Sequence, residues 1–107
     1  MDKDAKNFWE NEFGNSEIGC DFAGYEIRKG CYGQTNSKYG WNYDHILPKS
    51  MGGIDHYYNI QITNIFTNRE RGNRMSFWID GVLFQVKKIT RLSEDDEVAD
   101  YNYNRLV

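Results

Sequence analysis

The sequence predicts a small α+β protein in which residues 1–107 form a single domain. The length of 107 residues is typical of one domain. Hydrophobic residues make up 39% of the chain and aromatic residues 16%, which is enough for a modest packed core. Short apolar runs separated by glycines follow an amphipathic N-terminal segment. No run approaches the roughly 20 apolar residues of a membrane span, so we expect no membrane partner.

The N-terminal segment, residues 4–13, is predicted to be a helix. Phe8, Trp9 and Phe13 fall on one broad side of that helix, where they can cover a core. Gly14 follows as a stop signal.

A pair of short strands or a hairpin is predicted within residues 22–32, after a turn at residues 15–19. Gly24 and Gly30 interrupt this apolar segment, so each strand must be short.

Two further strands are predicted at residues 41–47 and 60–62, joined by a long loop. Pro48, Gly52 and Gly53 give this loop a defined path. Loops of this length in compact domains usually carry function.

A short helix is predicted directly after the second of these strands. Thr63 and Asn64 are both good N-caps, and Asn64 fits a helix over Ile65–Arg71. Gly72 is placed to end it.

The C-terminal part is predicted to begin with a β-hairpin at residues 76–89. Asp80 and Gly81 form its turn, with apolar runs on both sides. Residues 91–107 form an acidic tail that either wraps the surface or frays.

The charge is unevenly distributed along the chain. The net charge of −3 divides into −4 for residues 1–25, +4 for 26–88 and −3 for 89–107. A basic middle between acidic ends fits a central phosphate-binding surface. Solubilising acidic ends around an ordinary small domain are the alternative.

The compartment is expected to be the cytoplasm, in a host cell or as a phage-encoded protein. The N-terminus is charged and lacks the apolar stretch of a secretory signal. Cys20 and Cys31 are the only cysteines, and their spacing does not fit the usual structural zinc site.

Residues 41–72 contain a set of short motifs built mainly from polar residues and glycines. Its members are Asp44-His45-Ile46, Pro48, Gly52-Gly53, Asn59-Ile60-Gln61 and Asn68-x-x-Arg71. In this order and at these spacings, the segment resembles the HNH nuclease family. The resemblance implies a ββα-metal core and a metal-dependent endonuclease that hydrolyses DNA phosphodiester bonds, nicking one strand by a one-metal mechanism.

The resemblance also implies roles for four residues. Asp44 and Asn68 would be metal ligands, and His45 the general base. Asn59 would tie the loop back and so orient His45; a loop cap without catalytic consequence is the alternative. Because carboxylate and amide oxygens are hard ligands, we expect Mg²⁺, with Mn²⁺ as the second choice.

Four cations, one in the predicted loop and three in or just after the predicted helix, are candidates for DNA-phosphate contacts. They are Lys49, Arg69, Arg71 and Arg74. Any one of them could instead be a solvated surface charge. His56, the second histidine, is expected to be a loop residue without a catalytic task; a phosphate contact or an auxiliary metal ligand is the alternative.

Two other functions remain open. One is a nucleic-acid-binding module that keeps the fold without cleaving. The other is an accessory subunit of a phage packaging or restriction complex. Cutting both DNA strands would need a homodimer or a second event, so a homodimer or a larger nucleoprotein complex is a further expectation.

Overall fold

Two helices and three small antiparallel sheets make up the described part of the chain, which confirms the α+β class. The computed structural model describes the backbone of residues 1–90 and 99–105, and the side chains up to residue 87. Within these residues, neither helix is long and apolar enough to cross a membrane.

Helix α1 spans Lys3–Phe13, one residue longer than predicted. The Asp2 side chain accepts a hydrogen bond from its first turn, and Gly14 ends it with a φ of +61°. Trp9 is fully buried and packs against Trp41, with ring centroids 5.0 Å apart. The helix therefore covers one side of the central strands, as the aromatic spacing predicted.

Strands β1 (Ile18–Cys20) and β2 (Glu26–Arg28) form a two-stranded antiparallel sheet. The prediction of two strands within residues 22–32 is only partly confirmed: β2 lies there, but β1 lies before that range and begins within the segment that we predicted as a turn. The turn lies later because the Asp21 carboxylate accepts hydrogen bonds from the amides of Ala23 and Tyr25, both at 3.0 Å. The Asp21 side chain thus stabilises the turn between β1 and β2.

Strands β3 (Trp41–His45) and β4 (Ile60–Asn64) pair antiparallel, and helix α2 (Ile65–Arg71) follows β4 without a linker. The order strand, loop, strand, helix agrees with the sequence prediction. Asn64 caps α2 and Gly72 ends it, both as predicted.

Asn64 also connects three separate segments. Its Oδ1 accepts from the Phe66 amide, and its Nδ2 donates to the carbonyls of Glu26 and Lys38. Its own amide donates to Oδ2 of Asp21 at 3.0 Å. These bonds fix the start of α2 against β2 and the loop before β3. Burial raises the pKa of the Asp21 carboxyl that takes part.

The C-terminal sheet contains β5 (Ser76–Ile79), β6 (Val82–Thr90) and β7 (Ala99–Arg105), in that order. The predicted hairpin turn is confirmed: Asp80 and Gly81 have φ of +50° and +76°, as a two-residue hairpin loop requires. The prediction that residues 91–107 wrap or fray is wrong for β7, which pairs with β6. Pairing with β6 orders this segment, whose Asn- and Tyr-rich sequence does not by itself indicate a strand.

Two buried clusters support the central strands. The first is formed by Ala5, Trp9, Ile27, Trp41 and Ile62, and the second by Phe77, Ile79 and Phe84. Helix α2 packs against both β3 and β5, so it connects the two clusters.

Candidate active site

His45, the last residue of β3, is hydrogen-bonded to a loop carboxylate. Its Nε2 lies 2.7 Å from Oδ1 of Asp55, and Oδ2 of Asp55 lies 2.8 Å from Nζ of Lys49. The His45 side chain is 21% exposed, whereas Asp55 and Lys49 are 66% and 60% exposed. The Lys49 ammonium, and then the His45 imidazole, lower the pKa of the Asp55 carboxyl.

Sequence reasoning missed Asp55. One signal was present: Asp55 is the only acidic residue between Asp44 and Glu70, so it is the only carboxylate that the loop can offer. The contact with His45 depends on the path of the loop, which the sequence does not give.

Asp44 and Asn68, the predicted metal ligands, lie on the same side of the sheet. Asn68 donates from Nδ2 to Oδ1 of Asn42, at 2.9 Å. Asn42 and Asp44 are two residues apart on β3, so their side chains leave the same face, about 6.6 Å apart along the strand. The structure thus places Asn68 on the face that carries Asp44.

The oxygen atoms of this pair suit a hard cation. Oδ1 of Asp44 accepts from the His45 amide at 2.8 Å, and the hydrogen bond of Asn68 uses its nitrogen rather than its oxygen. One carboxylate and one amide oxygen fit Mg²⁺ or Mn²⁺, which also take water and substrate oxygens as ligands. Within the described residues, no three His, Cys, Asp or Glu side chains converge.

His45 lies on the other side of the pleat from Asp44. Because side chains alternate along a strand, His45 shares a face with Tyr43. The ring centroid of Tyr43 lies 4.9 Å from that of Phe8 on α1. Because β3 ends at His45, its ring lies at the rim of the sheet, beside the loop that carries Asp55. The two candidate ligands therefore share a face, and the candidate base lies at the adjacent strand end.

Asn59 anchors the loop that carries Asp55. It is 3% exposed; its Oδ1 accepts from the Leu47 amide at 2.8 Å, and its Nδ2 donates to the carbonyls of Leu47 and Ile54. These bonds also explain why β3 ends before residue 47, since Leu47 pairs with a side chain rather than with β4. The expected loop tie is present; its effect on the orientation of His45 remains a prediction.

The two glycines of the loop are needed for different reasons. Gly52 has a φ of +93°, which L side chains rarely adopt. A Cβ on Gly53 would lie 1.8 Å from the carbonyl oxygen of Leu47. Any side chain there would push the loop away from the Asn59 anchor.

The prediction that Arg71 contacts DNA phosphate is corrected by the structure. Its side chain is 2% exposed and donates to the carbonyl of His45 at 3.0 Å, and to those of Ile46 and Arg74. A guanidinium held in this way cannot face solvent phosphate. Arg71 instead fastens the end of α2 to the end of β3.

The other three cations lie at the surface. Lys49 is paired with Asp55, Arg69 lines a cavity beside α2, and Arg74 donates to carbonyls at the end of α2. Their contacts with phosphate remain predictions.

His56 has a structural environment. Its Nδ1 accepts from the Tyr58 amide at 3.3 Å, and its ring stacks on Tyr57 with centroids 4.7 Å apart. His56 therefore lies in the loop and contacts its sequence neighbours there, and it serves as a matched histidine control for His45.

Comparison of the chain with protein-family models, curated proteins and solved structures yields no match. What the site can do must therefore be argued from its own geometry and chemistry.

Proposed function

We propose that this protein is a metal-dependent endonuclease of the HNH type that hydrolyses DNA phosphodiester bonds. In this proposal β3, β4 and α2 form the ββα-metal core. The observation that carries the proposal is the arrangement around the end of β3. There, Asp44 shares a face with Asn68, and His45 beside it is bonded to Asp55.

Asp44 and Asn68 would hold the metal ion, Mg²⁺ or Mn²⁺. When bound, the ion would offset negative charge on the scissile phosphate and on the leaving 3′ oxygen. The hydrogen bond from Asn68 to Asn42 orients the amide of Asn68 through its nitrogen, which keeps the oxygen for the ion. The bond from the His45 amide orients the Asp44 carboxylate through its Oδ1 atom.

His45 would take the proton from the attacking water. With Nε2–H donated to Asp55, the lone pair of the neutral imidazole is on Nδ1, where it can accept that proton. Asp55 is then a positioning residue: it selects the tautomer and favours the imidazolium that forms, the role of the aspartate in a Ser-His-Asp triad. Hydrolysis would leave 5′-phosphate and 3′-hydroxyl ends.

Asn59 and Arg71 stabilise the backbone segments that carry the site. Asn59 ties the loop to Leu47, and Arg71 ties α2 to the carbonyls next to His45. The Arg71 contact limits movement between the helix that would supply one metal ligand and the strand that would supply the other, and the Asn59 contact holds the loop that carries Asp55.

Plasmid nicking by the purified protein tests this proposal. We expect conversion of supercoiled to open-circular DNA with Mg²⁺ or Mn²⁺, and none with chelator. His45→Ala should reduce the rate by roughly a hundredfold or more, since a general base contributes about 10²–10⁴. His56→Ala is the matched control and should cleave at the wild-type rate. Equal activity of the two variants would remove His45 from its assigned role.

A nucleic-acid-binding module without cleavage is the second candidate. It is favoured by Lys49, Arg69 and Arg74, because exposed cations bind phosphate without a base or a metal. In that case His45→Ala and chelator would leave DNA binding unchanged, and no product would form under any metal condition.

A further inference from the structure

A cavity of about 330 Å³ lies beside α2, on the flank that carries Arg69. Its lining residues are Tyr25, Thr35, Ser37, Lys38, Asn64, Ile65, Phe66 and Arg69. None of these residues is one of the candidate ligands or the candidate base. Arg69 follows Asn68 directly on α2, so the cavity and the proposed active site are carried by the same helix.

The charged lining of the cavity favours an anion. Lys38 and Arg69 contribute two cations, and no carboxylate lies among the lining residues. The nearby Arg28 guanidinium is paired with Glu26 at 2.9 Å and adds no net charge, so the positive charge comes from Lys38 and Arg69. The hydroxyl of Thr35 adds hydrogen-bonding capacity, whereas that of Ser37 already bonds to Cys31 and to the Tyr39 amide.

The apolar lining favours a flat ring. Phe66 is 42% exposed although it is a large aromatic residue, and its ring is held edge-on against Tyr25 with centroids 5.2 Å apart. A fixed, partly exposed aromatic next to cations is the combination on which single-stranded nucleic acids stack their bases.

We propose that this cavity binds one unpaired nucleotide of the strand that the enzyme cuts. The base would lie against Phe66, and its phosphate between Lys38 and Arg69. The size decides against a duplex: about 330 Å³ is near the lower limit for a small-molecule pocket and cannot admit a base pair. The inference rests on the proposed nuclease function and specifies its substrate as DNA with a single-stranded or locally unpaired segment.

Fluorescence anisotropy in chelator tests the site apart from cleavage. The probes are a labelled single-stranded 12-mer, its blunt duplex, and 5′-dAMP as competitor. We expect the single strand to bind more tightly than the duplex, and dAMP to compete only weakly. Phe66→Ala should weaken single-strand binding roughly fivefold to a hundredfold, the usual loss for one stacked base. Trp78→Ala, which removes a 58% exposed aromatic on β5, is the matched control.

Equal affinity for duplex and single strand would overturn the proposal, as would equal binding by the Phe66→Ala and Trp78→Ala proteins. If dAMP bound as tightly as the 12-mer, the cavity would be a free-nucleotide site and not a strand site. Amide chemical shifts of the wild-type protein, titrated with the 12-mer, guard against misfolded variants: they should move at Thr35, Lys38 and Arg69. Shifts confined to residues 49–59 would contradict the assignment.

The two proposals can fail separately. If the wild-type protein did not nick DNA but still bound the single strand more tightly than the duplex, the nuclease function would be refuted and the binding site would stand. If it nicked DNA but bound the single strand and the duplex equally, the binding site would be refuted and the nuclease function would stand.

Discussion

The imidazole of His45 and the carboxylate of Asp55 lie 2.7 Å apart, although the two residues are ten positions apart in the sequence. The same carboxylate holds the Lys49 ammonium at 2.8 Å. One exposed loop residue therefore joins the candidate base to a candidate phosphate-binding cation. The loop that makes this possible is fixed by Asn59, which bonds to the backbone of Leu47 and Ile54.

Asp55→Asn should lower kcat while leaving KM nearly unchanged. The amide can donate to Nε2 and stabilise the other tautomer, so the proton acceptor would no longer be on Nδ1. Because the pair is solvent-exposed, we expect a loss of roughly tenfold to a hundredfold, below that of a buried triad. Initial rates on a DNA oligonucleotide over a range of concentrations measure both constants.

Lys49→Ala is the matched control, since it removes the other partner of Asp55. It should raise KM more than it lowers kcat. If Asp55→Asn instead changed KM alone, its role would be in binding and not in positioning the base.

Arg71→Met should destabilise the fold by about 2–4 kcal/mol, because several buried carbonyls lose a charged donor. Urea unfolding of the isolated protein measures this loss. Arg74→Gln, at the exposed end of the same helix, should change stability by less than about 0.5 kcal/mol. Wild-type stability of Arg71→Met combined with weaker DNA binding would restore the phosphate role that the structure corrects.

Gly53→Ala should disrupt the loop, because the added methyl would lie 1.8 Å from the Leu47 carbonyl oxygen. The backbone must move to relieve this contact, which would break the bonds of Asn59 to Leu47. We expect a loss of about 1–3 kcal/mol in the free energy of unfolding, as for buried polar groups left without partners. Gly24→Ala is a control in which a Cβ meets no atom within 4 Å, so any cost there comes from the φ of +91° alone. A smaller loss at Gly53 than at Gly24 would contradict the close approach.

Asp21→Asn should destabilise the protein, by about 1–3 kcal/mol near neutral pH. An amide can replace the bonds from Ala23 and Tyr25, but its NH₂ group would then face the Asn64 amide, which is also a donor. The pH dependence has a definite sign. Burial raises the folded pKa above the ordinary 3.8, so the contribution of this carboxyl to stability falls as the pH rises from 3.8 through the folded pKa.

Urea unfolding of the wild type and of Asp21→Asn between about pH 3.5 and 7 checks this sign. The window begins near the ordinary pKa of 3.8 and extends upward because the folded pKa is raised. The advantage of the wild type over Asp21→Asn should be largest at the acid end. An advantage that grew with pH would mean that the folded pKa is lowered.

Features with a local cause were predictable from the sequence. Gly14 as a helix stop, Asn64 as an N-cap and Asp80-Gly81 as a hairpin turn all depend on a few neighbouring residues. The order of strands and helix in residues 41–72 followed from the same kind of signal.

Features that depend on distant contacts were not predictable. The burial of Arg71 arises because α2 packs along β3, and β7 is ordered by pairing with β6. The approach of Asp55 to His45 is set by the Asn59 anchor and the close contact of Gly53. Hydropathy and spacing carry no information on these contacts.

Manganese binding tests the central claim most directly, because it examines the proposed ligands without requiring catalysis. Electron paramagnetic resonance of the protein titrated with Mn²⁺ should show one bound ion per chain. Asp44→Ala and Asn68→Ala should each weaken its affinity by at least about tenfold, the lower limit for losing even a supporting contact of a metal site. Asp80→Ala, which removes an exposed carboxylate on the C-terminal hairpin, should bind like the wild type. Equal binding by all four proteins would contradict the metal centre on which the nuclease proposal depends.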